Sequence, residues 1–155
     1  TWVNDLLPDT VFVRHKDVVI NDDRLRYRKP KDYAYGFDKL RIDFASPELS
    51  ILEVLSDVPT GVSFEHADLL MQGLTTLSPR LLTNLLEICD SIKVKRLFFW
   101  LAERNKSPWL KKLDLKKFSI AGGTLGSGKR MIVHGGKLDP TYLITVPKDM
   151  ETTRE

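Results

Sequence analysis

The apolar positions change their period twice along the chain. Between residues 9 and 45 they alternate or cluster: DTVFVRHKDVVIND, RLRYRK and KLRIDFA place β-branched and aromatic residues between Asn/Asp-rich turns, which predicts strands. At Ser46-Pro47 the period becomes helical. The serine supplies an N-cap and the proline a first-turn residue, and Leu49, Ile51, Leu52, Val54 and Leu55 follow at helical spacing until Val58-Pro59 stops them. Ser63 opens a second helix with Glu65 in its first turn, directing Phe64, Ala67, Leu70 and Met71 inward before Gly73.

Ser78-Pro79 repeats the device. The stripe Leu81, Leu82, Leu85, Leu86, Cys89 and Ile92 is wide enough to make this third helix the expected centre of the core. A fourth helix, from about residue 93 to 105, buries Val94, Leu97, Phe98 and Leu101, and Ser107-Pro108 begins a last helical turn through Leu110 and Leu113. The tail returns to strand character in LKKFSI, RMIVHG and YLITVP, joined by glycine-containing loops. The expected fold is therefore α+β: a mixed sheet built from N- and C-terminal strands, packed with a central block of four to five helices.

Length and composition narrow the class without changing this picture. A chain of 155 residues fits one domain, and 42% hydrophobic with 29% charged residues is ordinary for a soluble protein. No apolar run reaches the roughly 18 residues of a membrane span, and TWVNDLLPDT lacks the pattern of a signal peptide. A cytoplasmic location with no membrane partner is expected. Cys89 is the single cysteine, so no internal disulfide can form. Its neighbours Leu85, Leu86, Ile88 and Ile92 predict a small buried hydrophobe. The first residue is Thr1, which suits a domain of a longer protein.

Charge patterning changes the picture more. The net charge of +3 conceals one base, Arg80, against eight acids over residues 43–92, then twelve bases against Glu103 and Asp114 over residues 93–137. Such a division suggests a positive surface for an anionic partner, an internal pairing of acidic and basic layers, or a solvated basic face. Two places concentrate the bases. On the fourth helix Lys93, Arg96, Trp100 and Arg104 share one stripe by their spacing. They form either a stacking, phosphate-holding surface, or a stripe in which Trp100 packs beneath a neighbour while the bases reach water.

The second place is GTLGSGKR. Gly123, Gly128 and Lys129 match the G-x-x-x-x-G-K spacing of a phosphate-cradling loop. Arg130 stands where Ser or Thr would bind magnesium, and Met131-Ile132-Val133 propose a strand where a P-loop needs a helix. A weaker form survives, in which Gly126, Ser127, Gly128, Lys129 and Arg130 hold a nucleic-acid phosphate or an acidic protein surface; the alternative is a plain hairpin loop. Catalytic constellations are scarce. His15, His66 and His134 are far apart in sequence, no H-E-x-x-H or G-x-S-x-G occurs, and neither metal nor cofactor is expected. Asp43 and Glu48 could flank a site as a carboxylate pair, although helix-entry and turn roles suffice for both.

Taken together, RIDFASPELSILEVLSDVP, SFEHADLLMQGLTTLSPRLLTNLLEICDSIKVKRLFFWLAER, WLKKLDL, LGSGKR, GGKLDP and YLITVP resemble the C-terminal part of AbiEi-family antitoxins. The resemblance implies a type IV toxin–antitoxin system of the kind that causes abortive infection. An N-terminal winged helix would bind operator DNA and repress the operon as a transcriptional regulator, and a C-terminal domain would supply antitoxicity. It implies a nucleotidyltransferase-like toxin, of the AbiEii type, that is countered without a stable direct complex. Residues 1–155 are expected to be that single non-catalytic C-terminal domain, without the winged helix. Two other classes stay open: a nucleotide- or phosphate-ester-handling enzyme using the glycine loop with Asp43, and a homo-oligomerisation module marked by an apolar patch at Trp2, Trp100 or Trp109.

Overall fold

The computed structural model describes residues 20, 27–28, 44–118 and 125–150. Helix α1 spans Pro47–Asp57, α2 Phe64–Gly73, α3 Pro79–Ile88 and α4 Ile92–Arg104. A serine opens each of them. The hydroxyl oxygens of Ser46, Ser63, Ser78 and Ser91 accept from the backbone N–H three residues on, at 3.2, 3.1, 3.4 and 3.3 Å. Each satisfies a donor that the first helical turn leaves without a partner. Pro47 and Pro79 occupy the first turn, where a missing N–H costs nothing.

The starts of α1 to α3 and the stops of α1 and α2 match the sequence expectation closely. Helix α3, however, stops at Ile88, leaving Cys89 as its C-cap and Ile92 to the next helix behind the Ser91 cap. Nor is the centre of the core where the expectation put it: it belongs to α4 rather than α3. Every residue from Val94 to Ala102 is buried, including Lys95 and Arg96, and a helix buried on all sides lies at the middle of a fold. It packs on α1 and α2 and against strand β4, Ile144–Val146. Aromatic contacts fasten it further: Trp100 meets Phe64 edge-on at 6.2 Å, Phe98 stacks on Trp109 at 5.4 Å, and Phe99 lies between Phe118 and Tyr142.

On α2, Leu70 faces outward and Asp68 takes the buried position, because Arg104 and Asn105 of the α4 end hydrogen-bond its carboxylate at 3.2 and 2.7 Å. A charge partner outweighed the period of the apolar residues.

The strands among the described residues are short and form two separate antiparallel pairs, not one sheet joining the two ends. β1 (Tyr27–Arg28) pairs with β2 (Phe44–Ala45), and β3 (Lys137–Asp139) pairs with β4. The α+β class holds. Residues 9–19, 21–22, 24–26, 29 and 39–43 of the expected N-terminal strands lie outside the described residues.

In the tail, Leu115–Phe118 forms a 3-10 turn where a strand was expected, and β3 occupies what reads as a loop. RMIVHG contributes a single bridge, Arg130 to Ile144. The amides of Ile132 and Val133 instead donate to the hydroxyl of Thr145, at 2.8 and 2.9 Å, which leaves them no strand to pair with. The β3–β4 turn is built by Asp139. Its Oδ1 accepts from the amides of Thr141 and Tyr142, and its carbonyl accepts from Leu143, which is held at φ 52°.

Candidate functional site

The expected basic stripe on α4 turns inward, and each of its members has a structural partner. Lys93 donates from Nζ to the carbonyls of Ser56 and Val58, both at 2.7 Å, closing the C-terminal end of α1. Orphan carbonyls and the negative end of the helix dipole make that a favourable seat for a cation. Burial lowers the Lys93 pKa from the ordinary 10.5, and Asp57 opposes the shift.

Trp100 is fully buried, and its indole N–H has no hydrogen-bond partner among the described residues. Arg104 lies 5.9 Å over the Trp100 ring, bridges to Asp68, and donates to the Met150 carbonyl at 2.7 Å. Trp100 therefore presents no stacking face to a ligand, and neither Trp100 nor Trp109 contributes to an exposed apolar patch; Trp2 lies outside the described residues.

Arg96 carries the most consequential departure from a surface role. Its side chain is wholly buried. Nε donates to the carbonyl of Leu125 at 2.9 Å, Nη2 to Gly126 at 3.0 Å, and Nη1 to Gly128 at 2.6 Å and Leu143 at 3.4 Å. The planar, five-donor fork of guanidinium is the side chain suited to gathering several carbonyls at once. One helix residue thus fixes the glycine loop and the hairpin turn together. Burial lowers its pKa from 12.5, and the nearby charge of Arg130 lowers it further.

The loop so anchored is where the remaining candidates assemble. Gly126 and Gly128 have φ of 67° and 77°, in the left-handed region that favours glycine. At Gly126 a Cβ would also approach Ile92 Cδ1 to 2.6 Å, so the loop lies close on the first turn of α4. Ser127, Gly128, Lys129 and Arg130 are exposed, as are Met131 and His134. After Lys129 the chain enters the bridge to Ile144 rather than a helix, so the G-x-x-x-x-G-K spacing does not build a P-loop here.

The five loop candidates are brought together. The three candidate bases on α4 serve the fold, and of them Arg96 alone reaches the loop, from beneath.

A family described as transcriptional regulator, AbiEi antitoxin, type IV TA system matches residues 2–147. The chain belongs to the AbiEi antitoxin family. No curated protein and no solved structure matches it. In this AbiEi chain the described member of the carboxylate pair considered for chemistry has a structural role. Glu48 is buried and accepts from the amide of Ser78 at 2.8 Å, tying the start of α1 to the cap of α3. Asp43, proposed as its partner, lies outside the described residues, as does His15.

Cys89 is buried and its thiol pKa is raised, chiefly by desolvation. Among the described residues no three His, Cys, Asp or Glu side chains gather as a metal site would require, and no helix is long and apolar enough to cross a membrane. Sequence reasoning placed the family and the loop, and it missed the anchoring role of Arg96. The signal available was an arginine next to the apolar run Leu97–Ala102, four residues before Trp100.

Proposed function

We propose that this AbiEi-family chain is a non-catalytic antitoxin domain of the cytoplasm. It counters the effect of a nucleotidyltransferase-type toxin without a stable complex and, joined to an N-terminal winged helix, represses its own operon. The family match across residues 2–147 carries this reading. Support for a nucleic-acid contact comes from the exposed Lys129 and Arg130, on a loop held in shape by Arg96. A fixed backbone presenting two cations suits the positioning contacts that proteins make to phosphates.

Two assays test it. In growth rescue, this chain and the full-length protein are each co-expressed with the neighbouring toxin, and rescue by this chain alone is the expected outcome. Toxicity undiminished beside a protective full-length protein would refute the assignment of antitoxicity to this domain. For repression, the K129A/R130A variant of the full-length protein should bind operator DNA more weakly, with its log–log salt slope reduced by about 2. An unchanged slope would remove the loop from the DNA contact.

A further inference from the structure

The Leu125–Arg130 loop has a second face. The peptide bonds after Leu125, Gly126 and Gly128 are trans, since the sole cis bond among the described residues is Val58–Pro59. Across a trans peptide the carbonyl and the following N–H point in opposite directions. The carbonyls of Leu125, Gly126 and Gly128 are all drawn in to the Arg96 guanidinium. The N–H groups of Gly126, Ser127 and Lys129 must therefore point away from it.

Ser127 and Lys129 are exposed, and among the described residues neither amide has a hydrogen-bond partner. The sign of φ alternates through the loop, positive at Gly126, negative at Ser127 and positive at Gly128. Left-handed residues alternating with right-handed ones are the backbone from which anion-binding concavities of successive amides are built.

Charge supplies an independent argument. Every hydrogen bond of the buried Arg96 goes to a carbonyl, and no carboxylate is among its partners. Arg130 adds to the positive field there, and Lys129 and Arg130 have no ion-pair partner among the described residues. Among the described residues, three cations lie around one loop with no acid paired to them.

We propose that this loop is a phosphate-binding site, in which the outward N–H groups of Ser127 and Lys129 hold the oxygens of a phosphate group and the side chains of Lys129 and Arg130 neutralise it. Arg96 acts as a positioning residue, fixing the amides by holding the carbonyls behind them. The site deepens the reading of this loop as a nucleic-acid contact and rests on that reading only for the source of the phosphate.

The test is a titration of the isotope-labelled chain with inorganic phosphate, followed by amide NMR and compared with chloride at equal ionic strength. Saturable movement of the Ser127 and Lys129 amides in phosphate alone is expected. K129A/R130A should weaken the midpoint by about tenfold, whereas the charge-matched surface variant K111A/K112A should leave it unchanged. Equal movement in chloride, or equal weakening in both variants, would overturn the site as a diffuse response to charge.

Two competitors then separate the sources. Displacement of phosphate by a short DNA duplex supports a site for backbone phosphodiesters. Displacement by pyrophosphate but not by the duplex supports a site for a free phosphate compound, and overturns the nucleic-acid reading while leaving the site standing.

Discussion

Arg96 and Cys89 show how burial changes the meaning of a reactive side chain. Without its guanidinium, the carbonyls of Leu125, Gly126, Gly128 and Leu143 lose a shared donor. Arg96→Met should therefore cost about 3 kcal/mol or more in urea unfolding, and Arg96→Lys should recover only part, since an ammonium cannot reproduce the fork. Cys89 is predicted to resist thiol reagents in the native chain and to react at the rate of unfolding. Its pKa is raised above the ordinary 9.0. The stability it contributes is thus full below pH 9.0 and is lost as pH rises through the higher folded value. In stability profiles measured across that range, Cys89→Ala should make the alkaline fall shallower.

Among elements, the joint between α1 and α4 depends on Lys93. Lys93→Met should lower stability by about 1 kcal/mol at neutral pH, since two helix-end carbonyls lose their donor. The folded pKa lies below 10.5, so folded protein holds this proton less tightly than unfolded chain. The favourable contribution therefore grows as pH rises toward 10.5 and shrinks as pH falls through the folded value. Paired urea titrations should show the advantage over Lys93→Met widening with pH.

The C-terminal hairpin has a different weak point. A Cβ at Gly136 would lie 2.5 Å from the Val146 carbonyl oxygen, and backbone cannot yield as a side-chain tip can. Gly136→Ala should cost about 2 kcal/mol or more and shift the amide signals of β3 and β4.

For the molecule as a whole, α4 is the common member, joined to α1 and α2, to β4, and through Arg96 to the loop. Such sharing predicts that helices and hairpin unfold together, with far- and near-ultraviolet circular dichroism tracing one coincident denaturant transition. A hairpin lost ahead of the helices would contradict it.

Helix boundaries, and the change from strand-like to helical to strand-like character, were legible because serine caps, first-turn prolines and apolar period are local properties of consecutive residues. Family membership was legible in the same way, from ordered segments of sequence. What local pattern could not supply was the direction of each polar side chain. Lys93, Arg96 and Arg104 share a stripe that equally suits water or carbonyl partners, and spacing alone does not distinguish them. Nor could the period of α2 foresee that Asp68 would displace Leu70 from the buried face.

The sequence by itself determined where most of the helices start and stop, and that two bases follow the glycines of the loop. The tertiary structure alone decided that α4 is central and that Arg96 faces the loop from below. Carbonyls 29 to 47 residues away from Arg96 in sequence converge on it only after the chain has folded.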